Sequence, residues 1–202
     1  MNNVIYLLST GTNTEVSTKT WKHWCKKHNV DFICNSEFIT SEVERYDKIG
    51  LVTSDTMIKW DSLNIFDEFG IDDFCGVLDT IDFKRIYTEL PHIDASKFIN
   101  EDVLFFGKNH LHLFKVNKNI NHSLQKNKIN VRCLTQSWNL LGMLRRQWFH
   151  HNWQLKDDQT PFYIKYANVW NFSGIDLSNQ AEPITTSELM NRVWNYIKEQ
   201  YK

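Results

Sequence analysis

The stretch "KIGLVTSDTMIKWD", residues 48 to 61, decides how this chain is read. Its first half is a short continuous apolar run, the pattern of a strand buried on both faces. It then turns polar at Thr53, Ser54, Asp55 and Thr56, with no glycine or proline to mark a turn. "NVIYLL" (3 to 8) is a second such run, bounded by "STGT". Between the two lie a helical pattern carrying Trp21, Trp24, Cys25 and His28, and a strand pattern in "VDFIC" (30 to 34). The segment up to Asp55 therefore reads as β-α-β-β. "DDFCGVLDT" (72 to 80) and "DVLFFGK" (102 to 108) supply two more strands, and "IDFKRIYTEL" reads as a helix that stops before Pro91. The expected fold class is α/β, with a mainly parallel central sheet that includes residues 3 to 8, 48 to 53 and 102 to 107 and is flanked by helices.

Further along, "NHLHLFKVNKNINHSLQKNK" begins as a helical pattern and becomes polar. "INVRCL" (129 to 134) reads as a strand, "WNLLGMLRRQWF" (138 to 149) as a helix, and "PFYIKYANVWNF" (161 to 172) as extended chain, because Phe162, Ile164 and Tyr166 alternate. The last segment, "TTSELMNRVWNYIKEQYK", opens with a capping box from Thr185 to Glu188 and places Leu189, Val193, Trp194 and Ile197 on one side of a helix.

A length of 202 residues suits one sizeable core, so residues 1–202 are expected to form a single domain. Hydrophobic residues make up 42% and aromatics 14%, which is a globular composition with an aromatic-heavy core. With 23 Lys+Arg against 24 Asp+Glu there is no global field to recruit nucleic acid or an anionic membrane. Cys25, Cys34, Cys75 and Cys133 form no CxxC or Cys/His pattern, which argues against a zinc site or disulfide framework and for reduced thiols. "VIYLL" is too short for a signal segment, and no run approaches the roughly 20 apolar residues of a membrane helix. The expected location is the cytoplasm, that of the host if the chain is viral.

In open α/β sheets, ligands bind outside the carboxyl ends of strands, and "LLSTGT" and "GLVTSDT" both put small polar residues at such an end. No GxGxxG follows the first strand and no GxxxxGK[ST] loop exists, so the usual dinucleotide and triphosphate fingerprints are absent. Taken alone, Ser-Asp-Thr is ordinary turn composition, and the histidines of "NHLH" and "FHHNW" lack a third ligand at recognisable spacing. "LRRQWFHHNW" reads as an amphipathic helix before it reads as a phosphate or base site.

The order "NVIYLLSTG", "KIGLVTSDTMIKWDSLNIFDEF", "FCGVLDT" and "KFINEDVLFFGKNHLHLF" resembles nucleotide-sugar-dependent glycosyltransferases of the GT-A type, particularly family 8 and its viral and phage-like relatives. The resemblance covers roughly residues 3 to 115, and more loosely "WNL", "YANVWNFSGI" and the last helix. It implies transfer of a hexose or similar sugar from a nucleotide-sugar donor to an acceptor. It also implies nucleotide-binding residues Ser9, Thr10, Gly11, Thr53 and Ser54, sugar-binding residues Asp79, Asn100 and Asp102, and a divalent metal, Mn2+ or Mg2+, at Asp55 and Asn171. Trp138 and Trp170, each beside an asparagine, are candidates for a sugar-stacking platform. No residue is assigned as catalytic.

Three positions depart from that pattern. Thr53 stands where the first Asp of Asp-x-Asp is expected, Asn-Ala-Gly has become Asn100-Glu101-Asp102, and Asn171 stands where a histidine completes the metal shell. The first and third changes each put a weaker ligand in a site for a hard cation, and the second puts a bulky carboxylate where glycine lets backbone and sugar approach, so metal is expected to bind weakly or to be dispensed with. The alternative is a catalytically inactive relative that keeps the fold as a binding or interaction protein. A sugar transferase acting on nucleic acid is disfavoured by the neutral charge.

Overall fold

The computed structural model describes residues 1–9, 14–79, 98–114, 119–141, 166–173 and 185–202. Strands β1 (Asn3–Leu8) and β3 (Lys48–Thr53) form where the apolar runs predict, and they lie parallel with Leu8 opposite Thr53. β2 (Asp31–Asn35) lies parallel on the other side of β1. The crossover between β1 and β2 contains helix α1 (Thr14–His28), which buries Trp21, Trp24 and Cys25. The helix stops at Asn29, whose φ of 53° is left-handed, and the Val30 N–H bonds to the Cys25 carbonyl at 2.9 Å. Lys26, Lys27 and His28 sit in the last turn, where the helix dipole favours cations. A single turn, α2 (Thr40–Val43), precedes β3.

After β3 the chain makes a tight turn into β4 (Thr56–Ile58), then returns to the central sheet as β5 (Phe74–Leu78) and β6 (Ile99–Gly107). A 3-10 segment (Lys108–Phe114) and helix α3 (Ile120–Lys126) lead to β7 (Val131–Cys133). The six-stranded order is β2-β1-β3-β6-β5-β7. All strands run one way except β6, which is antiparallel to both β3 and β5. The sheet is thus mainly parallel, as expected, and the three apolar runs share it.

A second sheet, of order β4-β9-β8, is built from β4, β8 (Leu140–Leu141) and β9 (Val169–Asn171). Residues 138 to 141, expected in a helix, instead form the end of a 3-10 turn (Gln136–Asn139) and β8, because β8 pairs with β9. The rest of that expected helix, and "IDFKRIYTEL", lie outside the described residues. Helix α4 (Thr186–Ile197) carries the expected cap: Thr185 accepts from the Glu188 N–H, and the Glu188 side chain accepts from the Thr185 N–H.

Alternation along β6 sorts the core. Phe105 packs with Trp21, Trp24, Phe66 and Trp138 on the α1 side, while Phe106 packs with Tyr6, Phe74 and Leu124 on the other. Helix α4 covers a third cluster containing Met57, Trp170 and Phe172. Trp138 and Trp170 are 9% and 1% exposed, so they are core residues, and the expectation of a sugar-stacking platform is corrected. All four cysteines are free, and burial pushes the Cys75 thiol up to about 12. Among the described residues, no helix is long and apolar enough to cross a membrane.

Candidate functional site

The antiparallel course of β6 brings its amino end to the edge where β1, β3 and β5 finish, with Leu8 opposite Thr53, Val52 opposite Val103 and Leu78 opposite Ile99. This edge collects nearly every polar residue that the sequence singled out. The strand order also reverses here, running from β2 through β1 to β3, which is the kind of position where open sheets bind ligands.

The polar turn that ends β3 needs no glycine because hydroxyls close it. The Thr56 hydroxyl donates to the Thr53 carbonyl at 2.7 Å and accepts from the Trp21 indole N–H at 3.1 Å. Ser54 is fully buried, and its N–H donates to the Leu8 carbonyl at 2.9 Å. That bond fastens the end of β3 to the end of β1. Ser54, expected to bind the nucleotide, has its side chain enclosed by protein. Asp55 is half-buried at the tip of the turn, and its carbonyl accepts from the Phe172 N–H at 2.8 Å. Through the Ser54 bond to Leu8, the turn that carries Asp55 lies beside the carboxyl end of β1. A cavity of about 480 Å³ at this edge is lined by Ile33, Cys34, Asn35, Ser41, Glu42 and Arg45, and not by Asp55.

Ser9 follows β1 directly; its N–H donates to the Asn35 carbonyl at 2.8 Å and its hydroxyl pairs with that of Thr14 at 2.8 Å. Thr10 and Gly11 lie outside the described residues.

On the β6 side, Asn100 and Asp102 share a face through the two-residue period of the strand. The Asn100 amide nitrogen donates to Asp79 at 3.3 Å, and its oxygen accepts from the Asp102 N–H at 2.9 Å and from Asn139 at 2.9 Å. Asp102 accepts from the Thr53 hydroxyl at 3.4 Å, from Asn171 Nδ2 at 2.9 Å and from the Ser173 hydroxyl at 2.5 Å. Asn171 Nδ2 also reaches Asn139 Oδ1 at 2.9 Å, and Asn171 Oδ1 accepts from the Ser173 N–H at 2.8 Å. Asn139 and Asn171 are fully buried, so the cluster knits β9 and the turn before β8 to the central sheet.

Asn139 and Ser173 were not singled out by the sequence. The signal available was local: an asparagine between Trp138 and two leucines, and a serine just after a buried strand. A fourth asparagine, Asn121 on α3, acts as a substitute strand partner for β6. It accepts from the Ile99 N–H at 2.8 Å and donates to the Ile99 carbonyl at 3.0 Å and to Glu101 at 2.9 Å. Desolvation of the carboxyl, with Asp102 adding like charge, raises the Glu101 pKa even though the residue reaches solvent.

The donor set does not suit a hard divalent cation, which takes six or more oxygen ligands. Among the described residues, no three His, Cys, Asp or Glu side chains come together as a shell. The amide oxygens of Asn100, Asn139 and Asn171 are each occupied by an N–H donor. The metal assignment of Asn171 is therefore corrected: its nitrogen, which cannot ligate a cation, faces Asp102, and its oxygen faces the Ser173 N–H.

No protein-family model matches the sequence, and no curated protein matches it. Solved structures do. The chain is similar to a glycosyltransferase involved in the glycosylation of the major capsid of PBCV-1, with TM-score 0.59 and 10% identity over 95% of this chain and 98% of that one. It is similar to an active-site mutant of LgtC, with TM-score 0.53 and 9% identity over 98% and 99% of the two chains. The apo form of the bifunctional glycosyltransferase WbbM gives TM-score 0.52 and 14% identity over 99% of this chain and 51% of that one. At such low identity the likeness establishes architecture: the chain has the GT-A fold.

Proposed function

We propose that the chain is a nucleotide-sugar-dependent glycosyltransferase that moves a hexose or similar sugar to an acceptor, acting as a single cytoplasmic domain over residues 1–202. The observation that carries this reading is the convergence, on one sheet edge of a GT-A fold, of Ser9 after β1, Thr53 at the end of β3, Asp79 after β5, and Asn100 and Asp102 at the start of β6. In this reading the loop of Ser9, Thr10 and Gly11 holds the nucleotide, with Thr53 beside it. Asp79 and Asn100 offer an acceptor and a donor to sugar hydroxyls, and Asp102 fixes the amide groups around them. Breaking the glycosidic bond loads charge onto the departing diphosphate, and hydrogen-bond donors aimed at that charge are what accelerate transfer. The hydroxyls and N–H groups of the loop after β1 are assigned that task.

Incubation with a panel of nucleotide sugars, without acceptor, tests the proposal through release of the nucleoside diphosphate. Slow release from at least one donor, abolished in Asn100→Ala, is the expected result. Binding without turnover would favour the second reading, a carbohydrate-binding relative that has lost the reaction. Neither binding nor turnover with any donor would overturn both.

A further inference from the structure

We infer that this site is organised without a resident divalent cation, and that a shell of neutral hydrogen-bond donors around Asp102 takes the cation's place. Asp102 touches both Thr53 and Asn171. A carboxylate at a metal centre turns its lone pairs toward the ion. Those of Asp102 are turned instead toward the Thr53 hydroxyl, the Asn171 amide and the Ser173 hydroxyl, at 3.4, 2.9 and 2.5 Å. All three donors are neutral; the Asn171 and Ser173 bonds are short, and the Thr53 contact is the long one of the three. The shell also does what a bridging ion does mechanically. Thr53 and Asp102 belong to β3 and β6 of the central sheet, while Asn171 and Ser173 belong to the end of β9 in the second sheet, so one carboxylate joins the two.

A cation entering here would have to strip these donors away and compete for the amide oxygens of Asn100, Asn139 and Asn171, each of which already accepts an N–H. Thr53 is the residue on which this balance turns. With a carboxylate at position 53, two acids would face each other across the β3–β6 pair, and their repulsion would be relieved by a bridging ion. The hydroxyl instead supplies a donor, and the Asp102 oxygens have hydrogen-bond partners with no ion present.

The first test uses the metal alone: calorimetric titration of Mn2+ into the wild type and into Thr53→Asp. Wild type is expected to show no saturable binding tighter than about 1 mM, and Thr53→Asp at least about tenfold tighter binding that is lost when Asp102→Asn is added. Saturable wild-type binding below about 0.1 mM that is lost in Asp102→Asn would overturn the inference. Melting of the wild type with Mn2+ and with EDTA needs no variant to fold: equal Tm values are expected, and a Tm several degrees higher with Mn2+ would contradict them. A third arm rests on the transferase reading. A nucleotide sugar should bind the wild type with affinity equal within about twofold in Mn2+ and in EDTA. A loss of about tenfold or more in EDTA would overturn the inference and leave the transferase intact. If no nucleotide sugar binds in either condition, the transferase reading fails while the metal titration still decides the inference.

Discussion

The Thr53 hydroxyl and the Asp102 carboxylate meet at 3.4 Å where β3 ends and β6 begins, and this contact places the polar end of an apolar strand inside a hydrogen-bonded cluster rather than at a free surface. Because Ser173 and Asn171 donate to the same carboxylate, truncation should leave several donors short of a partner. Asp102→Ala is expected to lower stability by about 2–3 kcal/mol in urea unfolding. Asp102→Asn keeps an acceptor for Asn171 and Ser173 and presents its amide to a hydroxyl that can also accept, so it should cost less. A milder effect from the alanine than from the asparagine would contradict this account of the cluster.

Asn139 is fully enclosed and bridges Asn100 and Asn171, so its truncation removes a hydrogen-bond partner from both. Asn139→Ala should cost about 1–3 kcal/mol by the same measurement. Asn139→Asp should be worse at pH 7 than at pH 5, since it adds a carboxylate to the cluster that contains Asp102 and protonation relieves the repulsion.

Gly107 closes β6, and its N–H donates to the Asp73 carbonyl at 3.0 Å. A Cβ at this position would overlap the Ile71 carbonyl, which is backbone and has no rotamer to yield. Gly107→Ala is therefore expected to cost at least about 1–3 kcal/mol and to lower Tm in a thermal melt. An unchanged Tm would show that the segment around Ile71 shifts freely.

β1, β3 and the two long helices were legible because their signals are local: continuous apolar runs for the strands, the Trp21, Trp24 and Cys25 stripe for α1, and the Thr185 to Glu188 box for α4. The edge that gathers Ser9, Thr53 and Asp55 was legible too, since strand ends bearing small polar residues were the clue. What stayed hidden is non-local. Nothing in "INEDVLFFG" tells that β6 runs antiparallel to its neighbours, yet that direction is what delivers Asn100 and Asp102 to the site. The partnership of Asn139 with Asn171 spans 32 residues and is set by the pairing of β8 with β9. Asn171, read as a ligand from its place in the order, is turned by its neighbours into a donor.

At the opposite edge of the sheet, the Asp47 carboxylate accepts from the Asn2 N–H and from Lys108 Nζ, each at 3.0 Å. The Asn2 backbone bond, then Lys108, hold its pKa below the ordinary value of 3.8. The sign follows from linkage: a depressed carboxyl contributes stability above its unfolded pKa, and that contribution disappears as the pH falls through the lower folded value. Asp47→Asn should accordingly reduce Tm at pH 7 and converge with wild type under strongly acidic conditions. A difference in Tm that is constant from pH 7 to the acid limit would assign the effect to packing instead.

The most direct measurement is a thermal-shift comparison of wild type and Asn100→Ala across a panel of nucleotide sugars. A ligand that binds only the folded state stabilises it by about 2.7 kcal/mol at a hundredfold excess over its Kd. At least one nucleotide sugar should raise the wild-type Tm and leave that of a folded Asn100→Ala variant unmoved at the same concentration. A panel that moves neither protein, or that moves both equally, would mean that the edge formed by β1, β3 and β6 is not where a nucleotide sugar binds.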